Sequence, residues 1–109
     1  MATSINSRSQ NSSCSLGAAI DNGSGLRIQA DLSWNFNSSA PSRISAYASY
    51  SNSGQGFSIS RSYSPDGTWS PEEEIPCTVF DDTFNNALKA LVLACFENYN
   101  NVQLINVEG

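Results

Sequence analysis

With no histidine anywhere in the chain, the commonest general base near neutral pH and the commonest metal ligand are both missing, and a Cys-His nucleophile system is ruled out. Cys14, Cys77 and Cys95 lack the close paired spacing of a zinc motif, and there is no glycine-rich phosphate loop or Gly-x-Ser-x-Gly turn. No metal and no cofactor are therefore expected. Carboxylates are left: Glu72 to Glu74, Asp81-Asp82 and Asp66. Paired carboxylates suffice for glycoside hydrolysis. The plainer roles are a helix cap or loop residue for Asp82, a solvated loop for the three glutamates and a turn for Asp66. On that ground the chain reads as a binding protein without catalytic activity.

Aromatic side chains give the stronger functional signal. An exposed ring offers a flat apolar face to the C–H face of a sugar, while neighbouring amides and hydroxyls bond the sugar's own hydroxyls. Trp69, beside the turn Pro65-Asp66-Gly67, is the candidate stacking platform. Tyr47 and Arg27 are candidate hydrogen-bonding partners. Trp34 belongs to an apolar stripe with Leu32 and Phe36 and reads as core.

These residues sit on segments with strand periodicity. Leu26, Ile28, Ala30, Leu32, Trp34 and Phe36 alternate with Arg27, Gln29, Asp31, Ser33 and Asn35, the period of a half-buried strand. Turn chemistry at Asp21-Asn22-Gly23-Ser24-Gly25 lets Ser15 to Ile20 fold back as its hairpin partner. Ile44, Ala46, Ala48 and Tyr50 alternate again, and a turn from Ser51 to Gly56 leads to a further alternating segment with Phe57, Ile59 and Tyr63, a second hairpin. Tyr47 falls on the face opposite Ile44. Pro71 and Pro76 bracket the glutamates and argue against a central strand there.

The segment from Thr83 to Tyr99 supports two readings. Phe84, Ala87, Leu88, Leu91, Val92, Cys95 and Phe96 fall at helical spacing, with Asp82 or Thr83 to cap and Asn100-Asn101 to stop the helix. Yet KALVLACF is also a continuous apolar run suited to a strand covered on both faces, and the strand-like VQLINV follows it.

A length of 109 residues suits a single domain over 1–109. A net charge of −5 repels phosphate backbones and anionic headgroups, which argues against nucleic acid and membrane partners. No apolar run is long enough to span a bilayer, and the N-terminal MATSINSRSQNSS lacks the apolar stretch of a signal peptide, so a cytoplasmic or unconventionally secreted protein is expected. Three cysteines allow one disulfide or buried free thiols. The sequons at Asn11, Asn22 and Asn37 are no more than chance supplies in a Ser- and Asn-rich chain.

Two internal similarities suggest repeated strand units: SLGAAIDNGSGLRIQ with LVLACFENYNNVQLI, and FSISRSY with TSINSRS. Furthermore, ISAYASYSNSGQGFSISRSYSPDGTWSPEEEIP followed by ALVLACFENYNNVQLINV resembles one blade and the start of the next in the fucose-specific β-propeller lectins of fungi and some bacteria. The resemblance implies an all-β fold of antiparallel strand repeats, two propeller blades per chain, completed as a ring by homo-oligomerisation. It also implies glycans as partners. Trp69 matches the family's outer-strand Trp. The family's arginine would fall at Ser45 and Gln103, Arg27 supplies one only in a competing register, and Ser60 or Arg61 stands where its glutamate should be. If 83–99 is a helix, the alternative is an α+β fold with that helix packed on an antiparallel sheet. The C-terminal third then looks like the helix–strand unit of the pentameric, glycan-binding B subunits of bacterial toxins. Carbohydrate binding is the expectation in both cases, and a structural or self-assembling subunit is the competing one.

Overall fold

The computed structural model describes residues 3–21, 27–35, 40–52, 55–70 and 82–106. The strands are β1 (Thr3–Gln10), β2 (Ser13–Asp21), β3 (Arg27–Asn35), β4 (Ile44–Asn52), β5 (Gln55–Tyr63) and the short β6 (Trp69–Ser70). They pair antiparallel in chain order to form one six-stranded open sheet. A helix, α1 (Asp82–Glu97), and a 3₁₀ turn at Val102–Leu104 follow.

Strict alternation makes the sheet two-faced. Cys14, Leu16, Ala18 and Ile20 of β2 bury on the same side as Ile28, Ala30, Leu32 and Trp34 of β3 and Ile44, Ala46 and Ala48 of β4. Each fully buried Leu or Ile contributes roughly 1.5–3 kcal/mol relative to an exposed one. Both expected hairpins form. β2 pairs with β3 from Ser13↔Asn35 to Asp21↔Arg27, and β4 pairs with β5 from Ile44↔Tyr63 to Asn52↔Gln55. The strands run further toward that second turn than the expected Ser51–Gly56 because the alternating pattern continues to Asn52 and resumes at Gln55. Residues 22–26, 36–39 and 71–81, with Leu26, Phe36, Cys77 and the glutamate run, lie outside the described residues.

The ambiguous 83–99 segment is a helix. Phe84, Ala87, Leu88, Leu91, Val92 and Cys95 are its buried stripe. A strand covered on both faces needs a layer on either side, but the described sheet carries a layer on one face only, and that layer is α1 itself. The small residues Ala18, Ala30 and Ala48, direct cross-strand neighbours, let the helix backbone approach β2 and β4 closely. The described part of VQLINV, residues 102–106, is not a strand: Val102 to Leu104 make the 3₁₀ turn, burying Val102 and Ile105 while Leu104 stays 62% exposed.

The C-terminal turn is tied to the sheet by polar contacts. Arg8 donates from Nε to the Val102 carbonyl and from Nη2 to the Ile105 carbonyl, each at 3.0 Å. Gln10 accepts from the Val102 N–H at 3.1 Å. The Trp34 indole N–H donates to the carbonyl of Tyr99, in the turn just after α1, at 2.8 Å.

The architecture is thus a mostly antiparallel sheet with one helix, consistent with both the all-β and the α+β expectation. The described strands form one continuous sheet and do not divide into two blades. SLGAAIDNGSGLRIQ and LVLACFENYNNVQLI are not repeats in three dimensions, because the first begins a β-hairpin and the second is helix and 3₁₀ turn. TSINSRS and FSISRSY do both lie on strands, β1 and β5. No described helix is long and apolar enough to cross a membrane.

Candidate functional site

The face of the sheet away from α1 is paved with serine. Ser9 pairs with Ser15, Ser15 with Ser33, Ser33 with Ser45, Ser45 with Ser62 and Ser62 with Ser70. Directly paired residues in an antiparallel sheet share a face, so these serines make one row crossing every strand. All but Ser62, which is half-buried, are exposed. Serine has little intrinsic preference for strands; threonine or valine would stabilise them better. Its recurrence at every step of one row is therefore not explained by strand stability.

The adjacent row on the same face is Ser7, Gly17, Asp31, Tyr47 and Ser60. Tyr47 stands up from it, 46% exposed, with Asp31 as its direct cross-strand partner. Asp31 accepts from Gln29 Nε2 at 3.2 Å, and Gln29 accepts through Oε1 from Asn6 Nδ2 at 3.1 Å. Asn6 sits at a register shift in β1 between Ile5 and Ser7, a bulge that re-aims a side chain over the sheet. Gly17 makes room for this cluster: a Cβ there would run into Ser7 Oγ and lie 2.9 Å from Asn6 Oδ1 and 3.1 Å from Asp31 Oδ1.

Taller side chains on either side turn the serine row into a trough. A depression of about 460 Å³ is lined by Ser15, Ser33, Ser45, Ser62 and Ser70, with Asp31 and Tyr47 on one flank. A second, of about 290 Å³, shares Ser33 and Ser45 and has Asn35 and Arg43 on the other flank. Arg43 is positioned by donating to the Ser62 carbonyl at 3.3 Å. Among the described residues no group of three or more His, Cys, Asp or Glu side chains gathers as a metal would require.

The three residues singled out by sequence do not converge. Tyr47 and Arg27 share the open face, but Arg27 is four residues along β3 from Asp31, roughly 13 Å at a strand's rise. Trp69 pairs with Tyr63, which pairs with Ile44, and so lies on the helix-covered face, half-buried against the core. Its ring carries the Arg61 guanidinium at 4.8 Å from the centroid and packs against Tyr63 at 5.7 Å. The serine row is not visible in the sequence because it exists only through register. One signal was present: every serine in the chain precedes Pro71, so serine follows the sheet and avoids the helix.

Compared with known protein families, with characterised proteins and with solved structures, the chain matches none.

Proposed function

We propose that the protein is a lectin-like carbohydrate-binding protein without catalytic activity, and that it binds through the open face of the sheet. The observation that carries this is Tyr47, an exposed aromatic ring in the middle of a hydroxyl-rich face, with an oriented carboxylate directly across from it. A sugar stacked on the ring could donate its hydroxyls to Asp31 and exchange hydrogen bonds with Ser45 and Ser60. Glycoside hydrolysis calls for two carboxyl groups about 5–10 Å apart, and among the described residues Asp31 is the one carboxylate lining the trough. Tyr47 takes the role first given to Trp69, whose ring is engaged by Arg61 and Tyr63. The trough is built from one chain, so binding here needs no propeller ring; homo-oligomerisation would add avidity and would not complete the site.

The test is a glycan-array screen of the labelled protein beside Tyr47→Ala, with circular dichroism on both. Selective binding by the parent that drops at least about tenfold in a folded Tyr47→Ala supports the proposal, in keeping with an exposed aromatic as the anchor of a small interface. Equal binding by the folded variant would remove Tyr47 from the site. Silence of the parent across the array would favour the structural subunit instead. The bulge in β1 works against that alternative, since bulged edges resist strand-by-strand assembly.

A further inference from the structure

Granting the carbohydrate reading, we infer that the trough takes an extended, uncharged, β-1,4-linked polysaccharide chain laid across the strands along the serine row, and not the tip of a branched glycan. Three observations carry this.

The first is continuity. The row runs from Ser9 on one edge strand to Ser70 on the other without a large side chain interrupting it. Both end residues are solvent-exposed. A site for a chain terminus is a pocket with an end wall, whereas here the larger depression follows the row from Ser15 to Ser70 and the smaller one opens beside it over Ser33 and Ser45.

The second is spacing. Neighbouring strands are about 4.8 Å apart, so five steps cover roughly 24 Å with one hydroxyl per step. That step is close to the length of one sugar unit in an extended β-linked chain, so the row can meet about four or five consecutive units. Coiled α-linked chains do not keep such a straight repeat.

The third is chemistry. A serine hydroxyl donates one hydrogen bond and accepts two, which matches a ligand bearing neutral hydroxyls that also do both. Among the described residues the flanks hold one carboxylate, Asp31, and one guanidinium, Arg43, of opposite sign, so this part of the trough offers no net charge to a polyanion. Sheets twist by roughly 20–25° per strand, and the row follows that twist. A single flexible chain can follow it; the flat surface of a polysaccharide crystal cannot.

Titration calorimetry on the full chain with cellobiose, cellohexaose and chitohexaose tests this. The expected result is at least about tenfold tighter binding of one of the hexaoses than of cellobiose, roughly the gain from engaging further sugar units. Ser15→Leu, one step in from the Ser9 end of the row and at the far end of the larger depression from Ser70, should cut hexaose affinity several-fold more than disaccharide affinity. Equal affinity for disaccharide and hexaose would overturn the inference and leave the carbohydrate reading standing. So would silence toward both hexaoses in a protein that binds other glycans on the array. Failure to bind any glycan would remove both.

Discussion

The guanidinium of Arg61 stacks 4.8 Å from the centre of the Trp69 ring while its Nη1 donates to Asn85 Oδ1 at 2.8 Å and to the Tyr63 hydroxyl at 3.3 Å. Arg61 is 7% exposed and sits among hydrophobic residues on the helix-covered face of β5. It therefore joins three elements at one point: β5, the start of α1 through Asn85, and β6 through Trp69. Hydrogen bonds from a buried charged donor and a desolvated cation–π contact each contribute more than their exposed counterparts.

Arg61→Ala is accordingly expected to destabilise the fold by about 2–4 kcal/mol, combining lost hydrogen bonds with a cavity. Arg61→Lys should recover less than half of that, because an ammonium has neither the planar stacking surface nor the fork. Urea unfolding followed by tryptophan fluorescence measures both. An Arg61→Ala protein as stable as the parent would show that the stack is incidental.

The strands were legible in the sequence because their period is enforced twice, by burial on one face and by polar residues on the other. Ile28 to Trp34 is the plainest case. The helix was ambiguous because KALVLACF has apolar residues on most sides; Leu93 is 37% exposed in the folded protein, so one-dimensional hydrophobicity overstated the burial. Trp34 was legible as core, and its indole N–H finds the Tyr99 carbonyl. The candidate site was legible only in fragments. Tyr47 could be placed on the outer face by parity, but Asp31 becomes its partner only once the register of β3 on β4 is set, and the serine row needs five such registers at once. Trp69 was read as exposed because it follows a turn, whereas two pairings, with Tyr63 and then Ile44, put it on the other side.

Trp34→Phe isolates the tie between sheet and helix end. The ring stays in a buried site while the 2.8 Å bond to the Tyr99 carbonyl is lost. The expected cost is about 1–2 kcal/mol, because the Tyr99 carbonyl is left with only the weak 3.8 Å contact from the Cys14 thiol. Amide hydrogen exchange should show the loss concentrated at residues 94–102. A uniform effect across the sheet would point to displaced core side chains around the smaller ring as the cause.

Cys14 and Cys95 are free and buried. Burial pushes both thiols up, that of Cys95 to about 12. The thiolate is the reactive form, so neither should be labelled by an alkylating reagent near neutral pH in the native state, and both should react at once in urea. Peptide mapping by mass spectrometry distinguishes these two sites. Rapid native labelling of Cys95 would mean that α1 opens readily from the sheet.

The turn after β5 carries the last expectation. Asp66 Oδ1 accepts from the Thr68 hydroxyl at 2.7 Å and from the Thr68 N–H at 3.0 Å, and these two bonds hold its carboxyl below the usual range, with a smaller push from the Lys89 charge. A carboxyl whose pKa is lower folded than unfolded stabilises the fold above its unfolded pKa, and that contribution is lost as pH falls through the folded value. The turn should therefore persist on acidification past the point where ordinary aspartates protonate. Thr68→Val removes the first and larger cause and should move the Asp66 pKa back toward normal in an NMR titration. Gly67, at φ +88°, offers an independent check of the same turn: Gly67→Ala should cost about 1 kcal/mol from the left-handed backbone alone. If Thr68→Val leaves the Asp66 titration where it was, the hydroxyl bond is not what sets it.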